Sequence, residues 1–383
     1  MAVQVRPDIK RIKNHFAELP DPRSTINLRH LLVDVVVISL CGVLAGADGP
    51  VAIEVWAKAN HDWLRRHLQL PHGIPSHDTL RRFLERVDPQ AFQRCFAAWI
   101  ESLLIPDSEG PRLLNIDGKT LRRSHDRKHG LGPLHLVSVW ASEQGLTLGQ
   151  VATEEKSNEI TAIPAVLELV DVQGAIVTID AMGCQKAIAQ KIIERGGDYV
   201  LPVKGNQGHL EQAVEAYFDE HLEDDFARVK VSRFETEEKH HGRIERRTYI
   251  QVNVPDTLAG RDEWAGLCTL GIAIRTRETA GQETGEVQCY ISSMKRNAKL
   301  FARASRGHWS IENSCHWSLD MTFREDESRV RDRRLAETLA WLRRFALGLL
   351  KQHPDTKKSL VMKRRLAGWS TTFLSEVLFG VPT

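Results

Sequence analysis

Residues 113–119 read Leu-Leu-Asn-Ile-Asp-Gly-Lys, and residues 175–183 read Ala-Ile-Val-Thr-Ile-Asp-Ala-Met-Gly. Each is a short apolar run that ends in a carboxylate followed by small residues. Short runs rich in apolar and β-branched residues, bounded by turn formers, predict buried strands. A strand end holds its side chain firmly, while the loop that follows leaves that side chain open to a ligand. Asp117 and Asp180 are therefore candidate catalytic carboxylates. A single Asp in such a place is commonly a helix cap. Two Asp with similar small neighbours, delivered by strands of one sheet, argue for a shared site.

The pattern extends outward from these two runs. His135–Ser142 and Thr147–Thr153 predict two more strands, joined by Glu143-Gln144-Gly145. Glu159–Val170 has helical spacing, with Pro164 early in it. Gln185–Arg195 predicts a helix closed by Gly196-Gly197. Tyr199–Val203 is a fifth strand that delivers Lys204, and Gln207–Leu222 is again helical. The order of three strands, helix, strand, helix, strand, helix predicts an α/β fold with a mixed sheet covered by helices. Residues 226–292 differ, with β-type runs at Arg247–Val254 and Leu267–Arg275, and read as an inserted β-rich segment. From Ala298 the chain is helical, most strongly at Leu335–Leu350, and it ends in a stretch with Lys357-Lys358 and Lys363-Arg364-Arg365.

The first hundred residues read as helices. Leu31–Leu44 is strongly apolar, and Val51–Leu68 carries apolar residues at helical spacing. A further helix over Thr79–Arg86 is capped by Ser76 or Asp78, and Asp88-Pro89 breaks it and starts another. Such a pair fits a DNA-reading helix-turn-helix or a packing domain. The expected organisation is a helical N-terminal domain over 1–105, a catalytic core beginning at 106–225, a β-rich insertion over 226–295, a helical completion of the core over 296–350 and a basic tail over 351–383.

Composition limits the function classes. The chain has 383 residues, 42% apolar and 27% charged, which excludes disordered, collagenous and disulfide-scaffold readings. Lys and Arg number 52 against 50 Asp and Glu, so any nucleic-acid surface must come from local clustering. The six cysteines form no CxxC pair and no compact zinc spacing, which predicts reduced thiols in a cytoplasmic protein. The opening MAVQVRPDIKRIKNHF has no long apolar region. Leu31–Ala47 is interrupted by Asp34 and is shorter than the ~20 residues a spanning helix needs, so no membrane contact is expected.

A third carboxylate stands in the segment RGHWSIENSCHWSLDMTFREDESR, residues 306–329. His308, Glu312 and His316 are four apart and share one face of a regular helix. Trp309 and Trp317 bracket this stripe, which predicts a half-buried helix. Asp320, Glu325 and Asp326 lie close by, so the identity of a third acidic ligand stays open among these and Glu312. Two divalent ions held by two or three carboxylates can clamp the attacking and leaving oxygens of a phosphoryl transfer. Mg²⁺ prefers such oxygen ligands. The cations cluster where this chemistry needs them: Lys119, Arg122, Arg123, Arg127 and Lys128 follow Asp117, Lys204 ends the fifth strand, and Arg243, Arg246 and Arg247 fall in the insertion. Groups of this kind position a nucleic acid through its phosphates.

Several stretches together resemble one family. They are Asp21–Arg23 (DPR), CGVLAGAD at 41–48, GIPSHDTLRRF at 73–83, IDGKTLRRS at 116–124, IDAMGCQ at 179–185, YVLPVKGNQ at 199–207, HGRIERR at 241–247, YISSM at 290–294 and RGHWSIENSCHWSLDMTFRED at 306–326. In this order, over nearly the whole length, the chain resembles the DDE transposases of insertion sequences, in the H-repeat-associated subgroup. The resemblance implies a ribonuclease H-like core with Asp117, Asp180 and Glu312 as the acidic triad and metal ligands. It implies Mg²⁺, with Mn²⁺ as a substitute and two ions per site. It implies cleavage at element ends and strand transfer into target DNA, by a homodimer on DNA. Lys119, Arg122, Arg123, Lys204, Arg243, His308 and Trp309 are the expected DNA contacts. In the broader group a Tyr, an Arg and a Lys flank the catalytic Glu, where this chain has Ser305, His308 and Leu319. A metal-dependent nuclease of the same fold, or a relic that only binds DNA, remain the competing functions.

Overall fold

The computed structural model describes residues 12–380 except residues 13 and 27 and the segments 104–109, 154–158, 241–242 and 280–281. Nine strands are described: β1 (Leu113–Leu121), β2 (Leu134–Ala141), β3 (Leu146–Thr153), β4 (Ile176–Ile179), β5 (Asp198–Pro202), β6 (Val231–His240), β7 (Arg243–Asn253), β8 (Thr269–Thr279) and β9 (Gln282–Ser292). The chain divides into two compact units. One comprises Met1–Ser108, Gly118–Ala162 and Glu312–Thr383; the other comprises Glu109–Asp117 and Ile163–Ile311. The division passes through β1, between Asp117 and Gly118. The domain boundary expected at 105–106 lies outside the described residues.

In the first unit the helices are α1 (Leu32–Leu44), α2 (Pro50–Ala59), α3 (His61–Leu64), α4 (His77–Arg86) and α5 (Pro89–Leu103). Ser76 caps α4, its Oγ accepting from the Thr79 amide at 3.3 Å. Leu80, Phe83 and Leu84 of α4 are buried. Both α4 and α5 pack on the long helix Arg333–Gln352, so this pair spends its apolar faces on the core. Asp34, which interrupts the apolar run of α1, accepts from the Leu70 amide at 2.9 Å. That bond satisfies a carboxylate that would otherwise be costly to bury. β2 and β3 pair antiparallel, with a register shift at Val139/Trp140.

The second unit holds α6 from Ile163 onward (Glu159–Glu168 in full), α7 (Lys186–Glu194), α8 (Gly208–Leu222) and α9 (Ala298–Ser310). Its sheet runs β1-β4-β5-β9-β8-β7-β6. β1, β4 and β5 are parallel, and β5 pairs antiparallel with β9. All four residues of β4 are buried, as expected of a central strand covered on both faces. The strands β6 to β9, in the segment read as an insertion, extend this same sheet beyond β5. β6 and β9 were not legible as strands because Arg233–His240 and Gln282–Glu286 are dominated by polar residues and lack apolar alternation. Cross-strand ion pairs hold that part instead: Arg246–Glu237 at 2.8 Å, Arg247–Glu238 at 3.0 Å and Arg275–Glu245 at 2.5 Å. Nearer the core, Tyr249 and Met294 pack with Phe301 of α9.

The C-terminal part returns to the first unit as α10 (Trp317–Phe323), α11 (Arg333–Gln352), α12 (Leu360–Trp369) and α13 (Thr371–Phe379). The expected basic tail is thus folded as helices. Lys363 donates to the carbonyls of Leu350 and His353, and Arg364 donates to those of Thr322 and Val43. These are carbonyls at the ends of α11, α10 and α1, where cations are favoured. No described helix is long and apolar enough to cross a membrane.

Glu325 is fully buried and accepts from the equally buried Arg344 at 2.9 Å, with Arg343 at 3.9 Å. Removing the carboxylate leaves two buried guanidinium groups uncompensated. Glu325→Ala should cost about 3–5 kcal/mol, read as a fall in the urea midpoint. A loss under about 1 kcal/mol, the scale of an exposed pair, would mean that Glu325 does not anchor α11.

Candidate active site

The register of β1 on β4 builds the site. Leu113 lies opposite Ile176 and Ile116 opposite Ile179. Asp117 and Asp180 directly follow this last pair, Asp117 still on β1 and Asp180 at the exit of β4, on strands of the ordinary spacing of about 4.8 Å. β1 itself does not end at Asp117 but runs on to Leu121. What ends there is its pairing with β4, because Asp180 turns the chain into the 3₁₀ turn Ala181–Gly183. Asp180 Oδ1 caps that turn, accepting from the Gly183 amide at 3.0 Å. The turn folds back so tightly that a Cβ on Gly183 would stand 2.1 Å from Ile179 Cγ2, which excludes any side chain.

Two residues not singled out from the sequence brace this loop. Asn206 Nδ2 donates to the Ala181 carbonyl at 2.7 Å, and Gln207 Nε2 donates to the Cys184 carbonyl at 3.0 Å. The available signal was their place in VKGNQ, directly after β5. Lys204 precedes them and is exposed. Because Thr178 pairs with Val200, β4 and β5 send Asp180 and Lys204 off the same edge of the sheet. Burial pushes the Cys184 thiol up to about 12, so it is no nucleophile here.

Three further expected DNA contacts lie in this unit. His308 Nδ1 lies 3.2 Å from Thr178 Oγ1, and Thr178 also accepts from Asn115 at 2.6 Å. Burial holds the His308 pKa down at about 4, so the ring is neutral at pH 7 and brings no charge to a phosphate. Arg243 is exposed, with Glu245 at 3.5 Å. Trp309 is 52% exposed.

Glu312 belongs to the other unit. It is exposed and stands in a π-helical stretch, Ile311–His316, between α9 and α10. Hydrogen bonds in a π turn run from i to i+5, so the four-residue spacing of His308, Glu312 and His316 does not keep one face there. Ile311, Cys315 and Leu319 are buried while Trp309 and Trp317 are exposed, so the segment is half buried, as expected. The three neighbouring acids are engaged with cations. Asp320 is 2.7 Å from Lys119 Nζ, Asp326 lies 3.4 Å from Lys119 and 3.1 Å from Arg122, and Glu325 belongs to Arg344. Burial raises the Asp320 pKa, and Lys119 opposes that shift. Lys119 is therefore buried and committed, whereas Arg122 and Arg123 reach solvent. Among the described residues no three His, Cys, Asp or Glu side chains form a ready cation cage.

The depressed His308 pKa has a stability consequence. Between its usual 6.5 and about 4 the unfolded chain binds a proton that the folded chain does not. This contribution is whole above pH 6.5 and is lost as pH falls toward 4. His308→Gln should flatten the stability curve across that window in denaturant titrations. An unchanged slope would place the ring in water.

Comparison with known proteins shows the family. Residues 108–349 match the family model described as the transposase DDE domain, and residues 13–100 match the one described as DDE_Tnp_1-associated. The H repeat-associated protein YhhI of Escherichia coli K12 is 38% identical over 378 residues, covering 97% of this chain and 99% of its own length. YncI of Escherichia coli O157:H7, which also bears a transposase name, is 40% identical over 97% of this chain and 95% of its own. Sheet, loops and sequence thus converge, and the chain belongs to the DDE-domain transposase family, alongside its H repeat-associated members.

Proposed function

We propose that the chain cuts DNA at the ends of an insertion sequence and joins the freed ends to target DNA, with Asp117, Asp180 and Glu312 as its acidic triad. The observation that carries this reading is the register that sets Asp117 beside Asp180. The parallel β1-β4-β5 arrangement supports a ribonuclease H-like core around them. Glu312 is favoured as the third member because it is exposed and, among the described residues, enters no ion pair, while Asp320, Glu325 and Asp326 each answer a cation. Its π turn is a feature often found at functional sites.

The donor set suits a hard divalent cation. Two carboxylates directly after one strand pairing offer oxygen ligands of the kind Mg²⁺ and Mn²⁺ take. Asp117, Asp180 and Glu312 would hold the ions, which when bound stabilise charge on the attacking and leaving oxygens of a phosphoryl transfer. The chain's own residues do the positioning. Gly183, Asn206 and Gln207 fix the Asp180 loop, and Lys204, Arg122 and Arg123 are the exposed cations suited to phosphates. No protein nucleophile is required, since water or a DNA 3′-hydroxyl attacks. Two chains on two element ends complete the reading, because paired cutting needs two sites. The reaction is expected in the cytoplasm.

Purified chain with DNA bearing the element's terminal repeats should give metal-dependent nicks at the repeat ends and joined products. Asp180→Asn should keep DNA binding and lose both products. Equal loss of binding would make Asp180 structural, and cutting without end preference or joining would make the chain a nuclease. Light scattering of the DNA complex should show two chains.

The cations separate in their effects. Arg123→Ala should lower the salt slope of DNA binding by about one. Lys119→Ala should leave that slope alone and cost about 1–3 kcal/mol of stability, the scale for unpaired buried polar groups. The reverse pattern would exchange their roles.

A further inference from the structure

Gly118 follows Asp117 on β1, and the place where its side chain would stand is already occupied. A Cβ there would lie 2.3 Å from Glu159 Oε1 and 2.4 Å from His135 Nε2. Both side chains are buried, at 5% and 1% exposure, and they stand 2.6 Å apart. His135 comes from the start of β2, and Glu159 opens α6. The other ring nitrogen, Nδ1, is 2.8 Å from Thr120 Oγ1, two residues along β1 from Gly118. The imidazole is thus tied to β1 at residue 120 and, together with the carboxylate, closes on the backbone at residue 118.

A polar pair at this depth is an expensive way to fill space, and apolar side chains of the same volume would pack a glycine more cheaply. Its return is directional: the pair admits one backbone path at Gly118. We propose that His135 and Glu159 are positioning residues that pin β1 at Gly118 and so fix the direction in which Asp117 presents its carboxylate to a divalent cation. This rests on the reading of Asp117 as a cation-holding residue. Neither residue touches the reacting atoms; they act through the backbone of β1. Partners behind a metal ligand typically change affinity by about 10–100-fold when removed.

The test uses the full-length chain on element-end DNA and follows Mn²⁺ binding by the loss of the free-ion electron paramagnetic resonance signal, beside thermal melting. Glu159→Gln keeps the volume and alters the charge. Thr120→Val removes only the outer hydrogen bond and guards against misfolding of the first variant. Both should weaken Mn²⁺ binding, Glu159→Gln by about tenfold, and should raise the Mn²⁺ needed for half-maximal cutting by the same factor. The rate at saturating Mn²⁺ should stay near that of the parent. Lowered melting temperatures with parent-like Mn²⁺ binding in both variants would overturn the proposal and leave the pair purely structural. Asp117→Asn is the control for the underlying reading. If it binds Mn²⁺ like the parent, that reading fails; if it loses Mn²⁺ while the other two variants do not, only the positioning role fails.

Discussion

The parallel pairing of β1 with β4 is the constraint from which the rest of the candidate site follows. A parallel ladder fixes the level of every residue on one strand against the next. Ile116 opposite Ile179 therefore settles where Asp117 and Asp180 stand. A slip of one residue on either strand would send one carboxylate to the opposite face. The buried residues of β4 and the Asn115–Thr178 hydrogen bond between the strands resist such a slip.

Much of this was legible in the sequence. The apolar runs at 113–117 and 175–179 announce buried strands, and Gly196, Gly145 and Ser76 mark turns and caps where the structure has them. The outer insertion strands were not legible, since their stability lies in pairs such as Arg246 with Glu237 that exist only once the strands are adjacent. The same limit applies at the site. A run rich in Lys and Arg after Asp117 reads as one basic surface, yet the fold buries Lys119 against Asp320 and leaves Arg122 and Arg123 outside. Spacing alone also assumes a regular helix, and the π turn at Ile311–His316 breaks that assumption at Glu312.

Buried charge is used with restraint in the first unit. Glu325 answers Arg344, while Arg364 and Lys363 donate to backbone carbonyls at helix ends. Such contacts leave little freedom of placement, because each cation must meet oxygens already fixed by a helix. They tie α12 to α1, α10 and α11 through bonds that apolar packing alone would not orient.

The same unit is drawn from three separated stretches of chain, the last beginning at Glu312. During synthesis the helices α1–α5 and the β2–β3 hairpin emerge well before α11, against which α1, α4, α5, β2 and β3 pack. Contacts so distant in sequence form late and slowly. A ribosome that stopped early would release a chain whose first unit lacks its central helix. The order of synthesis is thus written into the architecture itself: only a polypeptide extended past α11 can close the unit that carries Glu312.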